Sequence, residues 1–318
     1  MGEFDLIERF FKRPVRRAAL GVGDDCALLQ PAPGMQLAVT SDMLVEGRHF
    51  LPTVDPRALG HKALAVNLSD LAACGARPLA FTLALALPAA DAAWLAPFAE
   101  GLLALADAHG CELVGGDTTR GPLNICITAF GEVPRGQALL RSGARPGDEI
   151  YVSGTVGDAR LALEVFRGTL SVPQEVFAPA RARMERPEPR SVLGQALRGV
   201  ASAAVDVSDG LLGDLGHVLK ASGVGARIDA AAARTLMATP PGVLTDAQTL
   251  QFALAGGDDY ELVFTAPATA RGGVKGASVH AGLQVTRIGR VEATPGVRVV
   301  EPDGRPVDAR FASFDHFG

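Results

Sequence analysis

Cysteine is scarce in this 318-residue sequence, and the four present, Cys26, Cys74, Cys111 and Cys126, form no CxxC pair and no regular framework. Neither a zinc cluster nor a disulfide scaffold is indicated, so they read as reduced core thiols. Basic runs are missing as well: 30 Lys and Arg are dispersed through a chain of net charge −5, which leaves no field for nucleic acid or an anionic membrane. The most apolar stretch, residues 78–90, contains Pro88, is closed by Asp91 and is too short to span a bilayer as a helix. The N-terminal MGEFDLIERFFKR carries acids early and lacks the apolar run of a signal peptide. A soluble cytoplasmic protein is expected. The familiar nucleotide motifs are also absent: no GxxxxGK[ST], no HRD with DFG, and no GxGxxG feeding a helix.

What is present is enough apolar material, 48% of residues, to fill more than one core, and two domains are the natural expectation at this length. Apolar spacing predicts helices over 3–13, 55–74, 92–108, 159–166 and from 211 through 221. A strand broken by the turn-prone residues 21–25 is expected over 18–29, and further strands over 35–40, 79–87, 123–133, 149–153, 203–207 and 260–264. The Pro- and Arg-rich stretch 179–190 interrupts the pattern, and the polar turn 143–148 reads as the linker region. Alternating α and β of about equal weight results, divided as residues 1–137 and 138–318.

One kind of segment recurs: an apolar element running into Gly or Ser beside Asp. It occurs at Gly23-Asp24-Asp25, Ser41-Asp42, Ser69-Asp70, Gly116-Asp117, Ser208-Asp209 and Gly257-Asp258-Asp259. A carboxylate at a core edge is costly unless a cation or donors compensate it. Hard oxygen ligands without His or Cys favour Mg²⁺. Small neighbours let phosphate approach backbone N–H groups, and the helix start after Asp209 adds a favourable dipole. Any single such pair is more often a turn or a helix cap, the role expected of Asp158, Asp214 and Asp246. Six in one chain point instead to magnesium-dependent phosphate chemistry. His49 reads equally as a substrate contact or as a capping side chain.

At these residues the chain resembles the thiamine-monophosphate kinases of the AIR synthetase and selenophosphate synthetase superfamily. The resemblance is carried in order by GEFDLIERFF, GVGDDCALL, TSDMLVEGRHF, KALAVNLSDLAACGARP, LVGGDTTRGPL, RSGARPGDEIYVSGTVGD, DVSDGLLGDLGHVLKASGVGARID, GGDDYELVFT and FDHF. It implies a two-domain α/β (α+β) fold: an N-terminal mixed sheet that pairs with its twin in a homodimer and an α+β C-terminal domain. It implies ATP-dependent phosphorylation of thiamine monophosphate to thiamine diphosphate, the last step of thiamine diphosphate biosynthesis, by direct transfer assisted by several Mg²⁺ ions. Carried over by position, the magnesium ligands are Asp25, Thr40, Ser41, Asp42, Asp70, Asp117, Asp206 and Asp209. The nucleotide contacts are Gly116, Asp117, Arg141 and Ser208, and the substrate contacts His49, Asp258 and Phe314. Asp258 stands where the family often shows Glu. Two alternatives stay open: another ligase of the superfamily, and a noncatalytic metal-binding structural protein.

Overall fold

The computed structural model describes residues 2–22, 26–307 and 311. The chain separates into two compact units, Met1–Leu71 with Ala76–Gly136, and Ala72–Gly75 with Gln137–Gly318.

In the first unit, α1 (Glu3–Leu6) runs into a π-helical turn (Ile7–Phe11), and β1 (Met35–Val45), α2 (Pro56–Ala73), β2 (Arg77–Leu87), α3 (Ala92–His109), β3 (Glu112–Arg120) and β4 (Asn124–Pro134) follow. The strands form a four-stranded sheet in the order β1-β4-β2-β3, antiparallel except for the β2/β3 pair. Alternation divides its faces: Phe81, Leu83, Leu85, Ile125 and Ile127 are buried, as are Leu64, Leu68, Leu95, Phe98 and Leu102 of the helices. Helices α2 and α3 cross in direct backbone contact, since a Cβ on Gly60 would lie 2.0 Å from the Phe98 carbonyl oxygen and one on Gly101 1.9 Å from that of Arg57.

The opposite face is open along β1, where Leu37, Val39 and Met43 are exposed. Residues 18–29, expected as a strand broken at 21–25, show no continuous strand among those described. Leu20 bridges Leu28 antiparallel across the break, and just before them the amides of Arg16, Arg17 and Ala18 are taken by the Glu112 carboxylate at 2.8–3.1 Å. Strand β1 runs past residue 40 to Val45 because β4 offers partners for eleven consecutive positions.

The second unit contains β5 (Glu149–Ser153), α4 (Asp158–Phe166), α5 (Gln174–Glu185), α6 (Ser191–Ala196), β6 (Ala203–Asp206), α7 (Leu211–Ser222), β7 (Gly225–Asp229), α8 (Ala230–Arg234), α9 (Asp246–Ala255), β8 (Leu262–Ala266), α10 (Arg271–Ala281), β9 (Val285–Glu292) and β10 (Gly296–Val300). Its six-stranded sheet has the order β10-β7-β9-β5-β8-β6, with only the β10/β7 pair parallel. Both faces are covered. Ile150, Val152, Val205 and Val263 join one core with residues of α4, α7 and α9, while Tyr151, Ala204, Leu262 and Phe264 join another with Leu193 and Val274. That explains why β5, β6 and β8 read as unbroken apolar runs.

The turn 143–148 lies inside this unit, with the amides of Gly143 and Ala144 donating to the Ser222 hydroxyl. Residues 179–190, expected to interrupt the pattern, instead supply most of α5 and the approach to α6. Of the four cysteines, Cys111 is buried and its thiol pushed up to about 12 by burial, but Cys26 and Cys74 are exposed rather than core residues. No helix among the described residues is long and apolar enough to cross a membrane.

Candidate phosphoryl-transfer site

In the first unit the acidic residues meet where β1 passes the last turns of α2. Asn67 and Asp70, three apart, share one face of that helix. The Asn67 side-chain oxygen accepts the Asp42 amide at 3.2 Å, and its nitrogen donates to the Ala63 carbonyl. The Thr40 hydroxyl donates to Asp70 Oδ2, and the Asp42 carboxyl hydrogen-bonds to the same Asp70 side chain. Burial, then the charge of Asp70, pushes Asp42 up to about 7. Two carboxylates this close in a half-buried place repel, and one keeps its proton unless a cation separates them.

Strand alternation sends Ser41 the other way. Its hydroxyl lies 3.0 Å from Thr128 Oγ1 and 3.3 Å from the Ile127 carbonyl that it donates to, on the open face of the sheet. Asp117 stands on that same face, through the pairings Met43–Cys126, Cys126–Ala84 and Ala84–Asp117. Three strand spacings put it about 14 Å from β1. The structure therefore gathers Thr40, Asp42 and Asp70 and leaves Ser41 and Asp117 apart from them.

The segment Gly115-Gly116-Asp117 is not the turn that its composition suggests but the middle of β3, exposed at residues 116 and 117. Gly116, at φ 145°, sits where a Cβ would be 1.9 Å from the Leu83 carbonyl oxygen. His49 follows β1 in the turn that Glu46 and Phe50 bridge. Its Nδ1 accepts the Val45 amide at 3.0 Å, which leaves Nε2 to carry the hydrogen when the ring is neutral.

In the second unit Asp206 ends β6, buried, and Ser208 and Asp209 form the turn into α7. Asp214 Oδ2 accepts the amides of Ser208, Asp209 and Gly210 at 3.0–3.1 Å and so shapes the loop. Burial lifts Asp214 to about 6 even though the amides oppose the shift. Spacing had marked Asp214 as a cap or turn residue, and that is what it is. The residues before β8 lie against the same loop: the Asp258 amide donates to the Ser208 carbonyl at 2.8 Å and that of Tyr260 to Val207 at 2.9 Å. Asp206, Ser208, Asp209 and Asp258 thus share one end of this sheet. Arg141 is exposed, on the segment preceding β5. Asp25 and Phe314 lie outside the described residues.

Sequence reasoning missed Asn67, which ties β1 to α2, and Glu261, a fully buried carboxylate paired with Arg183 and Arg190. Asn67 was legible only as part of NLSD, three residues before Asp70. Glu261 gave no signal beyond standing among apolar residues.

Whether these residues suit magnesium is decided by donor chemistry. Among the described residues no three His, Cys, Asp or Glu side chains stand together as a metal-holding group. Mg²⁺ commonly takes one or two protein carboxylates and completes its shell with water and substrate phosphate. The Asp42–Asp70 pair, all oxygen and with the Thr40 hydroxyl beside it, fits that demand.

Comparison with known proteins agrees with this architecture. The family model "AIR synthase related protein, N-terminal domain" matches residues 23–133, and "AIR synthase related protein, C-terminal domain" matches residues 145–301. Matches over most of the chain make this an AIR synthase related protein. The thiamine-monophosphate kinase of Salmonella typhimurium is 49% identical over 99% of this chain and 98% of its own, and that of Haemophilus influenzae 43% over 100% and 98%. The crystal structure of thiamine-monophosphate kinase from Stenotrophomonas maltophilia K279a superposes with a TM-score of 0.84 at 46% identity, covering 97% of this chain and 96% of that one. AaThiL complexed with AMPPCP and TMP does so at 0.75 and 31% identity, over 99% and 96%. The chain belongs to the thiamine-monophosphate kinase family, and its activity class is that of a kinase.

Proposed function

We propose that this chain transfers the γ-phosphoryl group of ATP to the phosphate of thiamine monophosphate, releasing thiamine diphosphate and ADP as the last step of thiamine diphosphate biosynthesis in the cytoplasm. The observation that carries the proposal is the half-buried Asp42–Asp70 pair, brought together with the Thr40 hydroxyl where β1 passes α2, an all-oxygen set suited to a divalent cation. Relatives named thiamine-monophosphate kinase and a homologous complex with AMPPCP and TMP support the choice of donor and acceptor.

In this mechanism no side chain attacks; positioning and charge neutralisation suffice for direct in-line transfer. Asp42, Asp70 and the Thr40 hydroxyl would hold one Mg²⁺. Asp117, Asp206 and Asp209, with Ser41 and Asp25, are the proposed ligands of further ions. Magnesium, when bound, supplies the positive charge that phosphate oxygens need as charge moves to the leaving group. Gly116 and Ser208 let the nucleotide approach the main chain, and Arg141 offers a fixed cation to its phosphates. His49, Asp258 and Phe314 are the proposed contacts of thiamine monophosphate. The first unit would bind Mg-ATP and form a homodimer through the exposed apolar residues of β1, and the second would contribute its own nucleotide and substrate contacts.

Chromatography of the purified chain with Mg-ATP and thiamine monophosphate tests the proposal. Thiamine diphosphate and ADP are expected one for one, abolished by EDTA, with free thiamine inert as acceptor. ADP without thiamine diphosphate, or no product from folded protein, would contradict it.

A further inference from the structure

Residues 256–261 cross from α9 to β8 in an unusual conformation. Asp258 at φ 71° and Tyr260 at φ 54° are the only non-glycine residues, among those described, with left-handed backbone. An L side chain avoids that region because its Cβ crowds the next carbonyl, so two such residues persist only where surroundings impose them.

The alternate positions supply the constraint. Asp259, 1% exposed, accepts the Gly157 amide at 2.7 Å and that of Ala159 at 3.5 Å. Glu261, wholly buried, receives Arg183 Nη2 at 2.7 Å, Arg190 through Nε at 2.7 Å and through Nη2, and the Ser153 hydroxyl at 2.5 Å. Ser153 in turn accepts the Leu262 amide at 2.9 Å. On the other side there is no slack: a Cβ on Gly257 would fall 2.5 Å from the Ser208 carbonyl oxygen. Both guanidiniums come from the Pro- and Arg-rich stretch 179–190.

We infer that Glu261, gripped by Arg183 and Arg190, and Asp259, held by the amides of Gly157 and Ala159, are positioning residues that fix Asp258 beside Ser208 and Asp209 to receive thiamine monophosphate. This rests on the substrate assignment above. None of the four touches substrate; they act through the backbone of 257–260, whose amides bridge to Val207 and Ser208.

The test uses the full chain and three variants, Arg190→Gln, Arg190→Lys and Ser153→Ala. Hydrogen exchange of the Asp258 and Tyr260 amides reads the clamp, and KM for each substrate reads its use. For Arg190→Gln, exchange at these two amides is expected to quicken about tenfold. KM for thiamine monophosphate should rise about tenfold while KM for ATP and kcat stay within about twofold. Arg190→Lys, which keeps the charge but not the fork, should fall between. Should Arg190→Gln not fold, Ser153→Ala, which removes one hydroxyl and spares both arginines, is expected to move the same two readouts about threefold.

A merely structural role would lower the folded fraction and leave KM untouched. Unchanged exchange, or faster exchange with unchanged KM, overturns the inference. If the unmodified chain makes no thiamine diphosphate, the substrate assignment fails separately, and exchange alone then decides the clamp: faster exchange upholds it and unchanged exchange rejects it.

Discussion

The carboxyl of Asp42, pushed up to about 7, holds more protons in the folded chain than in the unfolded one between the ordinary aspartate value of 3.8 and that point. Its contribution to stability therefore declines as pH rises through this window and is at its most adverse above it. Asp42→Asn removes the penalty and should raise Tm by about 2–4 °C at pH 8 and by little at pH 4, as calorimetry would show. Mg²⁺, competing with the proton, should raise the Tm of the unmodified chain more at pH 8 than at pH 5. Glu149 has the opposite sign: Arg271 first, then Tyr151 and Arg287, hold it down at about 2 against burial. The stability it contributes is complete above the unfolded value of 4.5 and is lost as pH falls toward 2. Glu149→Gln should cost about 2 kcal/mol in urea unfolding at pH 7 and should flatten the acid limb of the stability curve between pH 5 and 2.

Within β3, Gly116 is the position at which the element depends on one missing atom. Gly116→Ala would drive a methyl into the Leu83 carbonyl at a φ that alanine resists, and about 3 kcal/mol or more of stability should be lost on denaturation. Elements with strong periodicity or unbroken apolar runs were legible in the sequence: α2, β2, α3, β5, α4 and α7 lie within a few residues of expectation. The end of β1 was not, because a strand's length is set by its partner, and β4 lies eighty residues further on. The small elements from β7 to α9 and from α10 to β10 gave no reading, since Gly, Ala and Arg interrupt their patterns. For the site, alternation along β1 separates Ser41 from Thr40 and Asp42, a division that a list of ligands does not convey. The left-handed pair at 258 and 260, roughly 1–2 kcal/mol each, is likewise invisible in GGDDYE, because the opposing side chains come from 153, 183 and 190.

At the scale of the whole molecule, the open sheet face of the first unit carries Leu37, Val39 and Met43 at 43%, 57% and 54% exposure on an edge strand, beside Thr128 and Cys126. Exposed apolar residues along an unpaired edge invite association, and the proposed homodimer would cover them. Val39→Glu should convert a dimer to a monomer by light scattering, with the fold kept. A dimer that survives the change would remove this face from the interface. The proposed seat of phosphoryl transfer is the Asp42–Asp70 pair. The turnover number of Asp42→Asn at saturating Mg-ATP and thiamine monophosphate tests it most directly, with Tm measured on the same sample. A loss of about 10³-fold or more in a folded, thermally stable protein is the predicted result; turnover near that of the unmodified chain would contradict it.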